Sequence, residues 1–582
     1  MRNVVRFVWH YAEMVIAMYL GMLLLGLLWS AVLPQPVRFD VDTLLMAADM
    51  TVGMALWMLV RRHGWARIAE MGVAMFAPFP VLLVPYWFGL LSGHVVMTAG
   101  HTLMFVFMAL VMLWRRAEYT GHPVGIPGKW LRRSAVVLAA LLLPASVSAV
   151  NTTGKFGDLY TVRADAVTAG PAPKTGGHDP AKPTVALLTG GAGTNVADLL
   201  GPYEVLAGTG RVNTYVVSAD PGPATLTGGL DLVPDLTLDG LTRLLDERRD
   251  RLDAVVIPAM QEPYPAAGDW LRRQSAAGTL VVTVCNGARV LAGTGLLDGR
   301  RATSHWLRLS GLRADFPRVE WVGGVRYVDD GNVITTAGVL SGIDGTLRII
   351  ERLLGADTAH EAAQRVHWRH YSPGVAARIP ESGLEPGDAV VGINASYHPG
   401  PSAIGVRLVD GVGELELASV FISYTEHAMV GRTIAIGDGP VRSRHGLTFV
   451  PRATPAEAAR DLDRLVVPGL DAARRQVAGV GDLRPEYPHA GGEFAFDPVM
   501  RDIARTYDVQ TARWTAKTLE YPVLDLGLTG SAWPWVATAV PVALALLGAA
   551  VALGAGLLLR RPANRPAGQP TGNRYSRRVA SR

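Results

Sequence analysis

The chain has 582 residues, 49% of them hydrophobic and only 18% charged, where soluble globular proteins carry about 25% charged residues; this excludes a disordered chain and points to membrane spans. The formal charge of +5 is local: seven arginines and no acidic residue lie between Arg560 and Arg582, and without them the charge is −2, which excludes a broad nucleic-acid-binding surface. The lone cysteine, Cys285, excludes an intramolecular disulfide framework and a cysteine-built zinc cluster.

Apolar segments crowd the first 150 residues, at Tyr11–Leu33, Thr43–Val60, Ala69–Leu91, His94–Trp114 and Ser134–Val150, and a sixth runs Trp533–Leu559. A bilayer needs about 20 apolar residues per helix, so these are predicted spans, the fifth short and holding Pro144. Arg2 and Arg6, then Arg61, Arg62 and Arg67, then Arg115, Arg116, Lys129, Arg132 and Arg133, then Arg560 and Arg561 all fall on one side if every segment crosses. Basic residues favour the cytoplasmic side. The expectation is a multi-pass cell-membrane protein whose N-terminus and tail are cytoplasmic, whose residues 151–530 are extracytoplasmic, and whose partner is the lipid bilayer. A second reading of Lys129–Val150 is an embedded signal-like stretch ending Ser146-Val147-Ser148-Ala149, with the same side of the membrane outward.

Within this region Met14, Met18 and Met22, Met46, Met50, Met54 and Met58, Met71 and Met75, and Met104, Met108 and Met112 recur every four residues. Such a step keeps each set on one helix stripe. Methionine is a flexible filler, so the stripes are expected to pack helix on helix. The same thioethers, with His94 and His101, also offer ligands to a soft metal or haem iron. Asp49 lies beside a stripe, and an acid within a span is a functional hint.

Ala166–Pro183 is rich in Gly, Pro and Lys and reads as linker. Beyond it the pattern alternates. Val185–Leu188, Thr214–Val217, Ala254–Ile257 and Leu280–Val284 are predicted buried parallel strands, with helices over Val196–Leu206, Leu241–Arg248, Trp270–Ser275 and Ile343–Leu353. Cys285 ends the fourth run, and Asn286-Gly287-Ala288 leads into a helix. Strand, nucleophile, glycine, helix is the sequence form of a nucleophile elbow, which lifts the side chain to the sheet's carboxyl edge. The following helix is expected to lower the thiol pKa; a buried, inert core cysteine is the competing reading.

The longer stretch, Cys285-Asn286-Gly287-Ala288, Leu291-Ala292, Gly295 to Arg300 and Ala302-Thr303-Ser304-His305-Trp306, resembles the ThiJ/PfpI superfamily. That is the class I glutamine amidotransferase-like fold with a flavodoxin-like sheet, and the nearest branch holds AraC-fused regulators and isocyanide hydratases. The resemblance implies a catalytic set of Cys285, Asp198 (within Ala197-Asp198-Leu199-Leu200-Gly201-Pro202) and His305. It implies a pocket that includes Asn286, Gly287 and Ala259, and no cofactor or metal. Pro258-Ala259-Met260 stands where the family usually has Pro-Gly-Gly, and Asn286 where hydratases often have Thr. The DNA-binding helices of the regulators are absent.

The first half of this pattern recurs. Gly229-Leu230-Asp231-Leu232-Val233-Pro234 is echoed by Gly446-Leu447-Thr448-Phe449-Val450-Pro451, Leu252-Asp253 by Leu462-Asp463, and Asp198 by Glu416. The expected layout is a helical bundle over 1–150, a linker over 151–182, the cysteine-bearing domain over 183–368, a linker over 369–400, a degenerate copy over 401–530 with Glu416 in a relic or binding pocket, a transmembrane helix over 531–559 and a basic tail over 560–582. The two copies would form an intramolecular pseudo-dimer. Three functions compete: a thiol enzyme acting on small electrophiles, a sensor in which a ligand or oxidant meets Cys285, or a pure scaffold with an inert pocket.

Overall fold

The computed structural model describes residues 39–61, 63–87, 93–114, 128–161, 177–190, 193–261, 265–374, 377–398, 402–522 and 526–558, with parts of 11–25. The basic segments Arg2–Arg6, Arg115–Arg116 and Arg560–Arg582, the stretch Ala166–Thr175 and the side chain of His94 lie outside the described residues.

The N-terminal helices are α1 (Phe39–Val60), α2 (Trp65–Phe76), α3 (Pro78–Trp87) and α4 (Gly93–Trp114). They gather with the apolar helix Glu13–Met22 around a core of Met14, Met18, Met50, Met54, Met58, Met71, Met75, Met104, Met108 and Met112, all 0–1% exposed. Gly21 and Gly53 set one close approach: a Cβ on Gly53 would stand 2.6 Å from the Ala17 carbonyl oxygen. Three helices among the described residues are long and apolar enough to cross a membrane, Phe39–Val60, Trp65–Val84 and Trp535–Gly554.

Helix α5 (Gly128–Asp158) corrects the expected linker over 151–182: it runs unbroken through Pro144 and the Ser146–Ala149 stretch to Asp158. Its last turns dock on the α/β region, where Lys155 Nζ donates to the carbonyls of Asn394 (2.6 Å) and Met429 (2.9 Å). Burial brings the Lys155 pKa down to about 8.

The main sheet is built from β1 (Thr184–Thr189), β2 (Asn213–Ser218), β3 (Leu236–Thr237), β4 (Ala254–Ile257), β5 (Leu280–Thr283), β6 (Tyr327–Asp330) and β7 (Val333–Thr336), in the order β6-β7-β5-β4-β1-β2-β3. Only the edge pair β6–β7 is antiparallel. Both faces are covered, as parallel sheets require. Along β1, Val185 and Leu187 enter one core while Ala186 and Leu188 enter the other. The covering helices are α6 (Val196–Ala207), α7 (Leu238–Arg248), α8 (Pro265–Ala276), α9 (Gly287–Gly293), α10 (Trp306–Asp315), α11 (Ser341–Leu354) and α12 (Ala356–Arg365). This is the flavodoxin-like α/β fold expected.

The expected linker over 369–400 is also corrected. It contains α13 (Ala389–Tyr397), whose Val390, Val391 and Ala395 are buried. A second, all-parallel sheet follows: β8 (Ser402–Arg407), β9 (Gly431–Ile436), β10 (Arg464–Val466) and β11 (Pro485–Glu486), ordered β9-β8-β10-β11. That order and sense match β2-β1-β4-β5. Helix α14 (Glu414–Ile422) follows β8 as α6 follows β1, and the two helices pack together. Helices α15 (Phe496–Thr506), α16 (Val509–Thr518) and α17 (Trp535–Leu558) complete the described chain.

Candidate active site around Cys285

Strand β5 delivers its chain to Cys285, whose φ is +55°. Few residues other than glycine adopt this left-handed conformation, and it persists where the surroundings enforce it. Here the Ser304 hydroxyl donates to the Cys285 carbonyl at 2.7 Å. Gly287 allows α9 to begin beside β4, since a Cβ there would stand 2.0 Å from the Ile257 carbonyl oxygen. The thiol is free and 8% exposed.

Asp198 sits in the first turn of α6. Asn195 caps that helix, its side-chain oxygen accepting from the N–H groups of Ala197 and Asp198 at 3.0 Å each. The carboxyl of Asp198 is 0% exposed, and its Oδ2 accepts from the Ala259 N–H at 3.0 Å. Oδ1 is buried and has no hydrogen-bond partner among the described residues. Burial raises the Asp198 pKa well above its ordinary value, the Ala259 N–H opposing and the charge of Glu426 adding to the rise. Because Oδ2 is engaged as an acceptor, a proton taken up by this carboxyl goes on Oδ1.

The thiol departs from the sequence expectation. Its pKa is pushed well above the ordinary value, chiefly by burial and then by the negative charge of Asp198 when ionised; Arg308 and the Asn286 N–H, which donates to the sulfur, oppose this. Burial outweighs the N-terminus of a helix only seven residues long.

His305 is a second correction. Nε2 donates to the Thr518 carbonyl at 2.7 Å, and Nδ1 accepts from the Leu307 N–H at 3.2 Å, capping α10. With both nitrogens taken and burial holding its pKa down to about 4, the ring is neutral and orients structure rather than the thiol proton. Asn286 and Ala259 stand at the site through their backbone N–H groups. Glu416 belongs to another cluster: it accepts from the N–H groups of Gly413 (2.7 Å) and Leu470 (3.1 Å) and pairs with Arg444 at 3.1 Å.

Four further residues complete the surroundings of Cys285. Half-buried Glu426, in the turn Ser423–His427, accepts from Asn195 Nδ2 at 3.2 Å and from the Tyr160 hydroxyl at 3.4 Å. The Thr227 hydroxyl donates to Tyr160 at 3.1 Å. Burial raises the Glu426 pKa and Arg308 opposes it. Glu426 and Arg308 both act electrostatically on Cys285. Sequence reading missed Tyr160 and Glu426 because both come from outside the cysteine-bearing domain, the echoed segments being the one signal that the second half reaches this site, and missed Thr227 and Arg308 because they lie within that domain but outside its motifs.

Among the described residues one cluster has metal-ligand chemistry, Glu204, Glu414 and His445, with ligand atoms within 4.8 Å of one another. Its donors are already engaged. Glu204 pairs with Arg444 at 3.2 Å and accepts from the Leu415 N–H at 2.6 Å, while Glu414 binds His445 at 2.8 Å and Ser443 at 2.6 Å. It is an ion-pair network where α6 meets α14.

The model for the DJ-1/PfpI family matches residues 183–352. The isonitrile hydratase of Pseudomonas putida is 37% identical over 166 residues, which are 28% of this chain and 68% of the hydratase. The chain belongs to the DJ-1/PfpI family. The deglycase PfpI of Pyrococcus furiosus is 30% identical over 146 residues, 24% of this chain and 81% of that protein. The HTH-type transcriptional regulator CdhR of Pseudomonas aeruginosa is 32% identical over 155 residues, 26% of this chain but only 44% of the regulator. Membership of the DJ-1/PfpI family, with a hydratase and a deglycase among the relatives, supports a cysteine-based, enzyme-like function in general.

Proposed function

We propose that this chain is a membrane-anchored, extracytoplasmic DJ-1/PfpI-type enzyme that uses Cys285 on small electrophiles, in a hydratase, hydrolase or reactive-carbonyl reaction. The observation that carries this reading is the strained elbow cysteine and, acting on it, a buried acid with an unpartnered Oδ1 and a raised pKa, suited to carrying a proton. On an isocyanide, Sγ bonds to the terminal carbon and the thiol proton ends on that carbon, relayed by Asp198, giving a thioimidate. Water then adds to the same carbon and expels the thiol, leaving an N-substituted formamide. A resting thiol suits this course, because S–C bond formation and proton loss occur together. Asp198 is the proton carrier and Arg308 offers a positive charge to polar substrate groups. The experiment is turnover of small isocyanides and 2-oxoaldehydes by the detergent-purified full chain, with Cys285→Ser as control.

The cysteine-free half is, in this reading, a degenerate second copy that forms a pseudo-dimer with the first. The echoed strands support it. They pair antiparallel with each other in the register Thr448↔Val233, Phe449↔Leu232 and Val450↔Asp231, the exchange that a two-fold axis through Leu232 and Phe449 requires. Glu416 also supports it, since it accepts from Leu470 after β10 as Asp198 accepts from Ala259 after β4. At the place of the elbow, after β11, stands buried His489, which accepts from the Gly469 N–H at 3.3 Å.

A ligand-sensing role is the second reading. It is favoured by Tyr160, a site residue two positions beyond the end of α5, whose apolar middle lies in the same continuous helix. Oxidant sensing is the weaker form, since a raised thiol pKa slows oxidation.

A further inference from the structure

The helical bundle segregates its apolar residues by type. Ten of the thirteen buried members of its core are methionines, joined by Ala47, Ile68 and Phe79. Among the described residues the exposed large apolar residues of the same helices are Ile16, Tyr19, Leu20, Val41, Val52, Leu56, Leu59, Val60, Trp65, Val81, Val95, Val106 and Phe107, with no methionine among them, while Met22, Met46 and Met97 are half-buried. Packing alone does not demand this. Leucine fills such a core with better-defined rotamers, and methionine would serve equally well on the outer surface. Segregation makes sense if the interior needs sulfur.

A second observation concerns His101. It lies on the same face of α4 as Met104, Met108 and Met112, three, seven and eleven residues on. Its Nδ1 donates to the Met97 carbonyl at 2.7 Å, and its ring meets core Phe79 edge-on at 5.5 Å. That bond makes Nδ1 the donor and leaves Nε2 as the ring nitrogen able to ligate. A backbone carbonyl holding one ring nitrogen while the other is free to ligate is the usual arrangement of a metal-binding histidine.

We propose that the methionine core, together with His101, is a binding site for Cu(I). Neutral thioethers and one imidazole select a soft, singly charged ion over Zn²⁺ or Mg²⁺, which prefer anionic or oxygen ligands. A single charge is also the least costly to bury in an apolar bundle. Binding involves no redox step, because the ion arrives and remains as Cu(I).

The test uses the full chain in detergent with Cys285→Ser, so that no thiol competes. Anaerobic Cu(I) is titrated against the chromophoric chelator bathocuproine disulfonate. At least one equivalent should be withdrawn from the chelator, and Met104→Leu with Met108→Leu should weaken binding at least tenfold, a swap that conserves volume. X-ray absorption of the bound ion should show sulfur scatterers. Failure to withdraw copper, unchanged affinity in the leucine variant, or a shell of nitrogen and oxygen alone would overturn the proposal. Enzyme turnover plays no part in the readout.

Discussion

At the scale of single residues, the site is governed by burial. Cys285 and Asp198 both have pKa values raised above their ordinary values, chiefly by burial, and the charge of Asp198 adds to the rise at Cys285, so the resting cysteine is the thiol. Iodoacetamide should therefore alkylate Cys285 of the folded protein slowly at pH 7. The rate should climb with an apparent pKa above the free-thiol value of about 8.5. Asp198→Asn removes the carboxylate that repels the thiolate, and should move that apparent pKa down. Fast alkylation at pH 7 with no response to Asp198→Asn would contradict the account. His305 gives a stability prediction. Its folded pKa of about 4 lies below the ordinary 6.5, so the unfolded chain binds the proton first on acidification. Its contribution to stability is full above pH 6.5 and is lost as pH falls toward 4. His305→Asn keeps a capping side chain. Denaturation at pH 7 and pH 5 should show a loss smaller by roughly 2 kcal/mol in this variant than in the parent; equal losses would contradict the assignment. The residue types at this site were readable from sequence, since Cys285 and Asp198 lie in motif. Their ionisation was not, because it depends on how completely other segments bury them. The role expected of His305 failed for the same reason: Thr518, far along the chain, takes the nitrogen that a catalytic histidine would need.

At the scale of elements, the elbow depends on the fit between α9 and the end of β4. Gly287→Ala places a methyl 2.0 Å from the Ile257 carbonyl oxygen. The turn must then move, and the cost should be about 3 kcal/mol. Thermal unfolding should register it, and Cys285 should lose its reactivity even where the fold survives; a neutral effect on both would show that the elbow is not what orients the sulfur. The strands and helices around this turn were legible, because β-branched runs such as Val281-Val282-Thr283-Val284 alternate with helical patterns. The tethers were not. Residues 151–158 hold Gly154, Lys155 and Gly157 and read as a spacer, yet α5 continues through them because Lys155 and Leu159 find partners on the α/β region. Helix α13 was hidden in the same way within Ala389–Tyr397, where a short apolar stretch acquires its helix from burial.

At the scale of the whole molecule, the cysteine-free half contributes Glu426 to the site, and the end of α5 contributes Tyr160. The apolar helices and the Lys/Arg asymmetry carry the proposed topology. Protease added to intact spheroplasts should cut the α/β region and spare a C-terminal epitope tag; the reverse pattern would contradict it. The central claim is that Cys285 performs covalent chemistry in a site completed by both halves. Its most direct measurement is steady-state turnover of a small isocyanide or 2-oxoaldehyde by the full chain. The account predicts measurable turnover, loss to background in Cys285→Ser, a fall of about 10²-fold or more in Asp198→Asn, and a clear fall in Glu426→Gln. Turnover that survives Cys285→Ser, or no turnover of either substrate class by the folded parent, would contradict it.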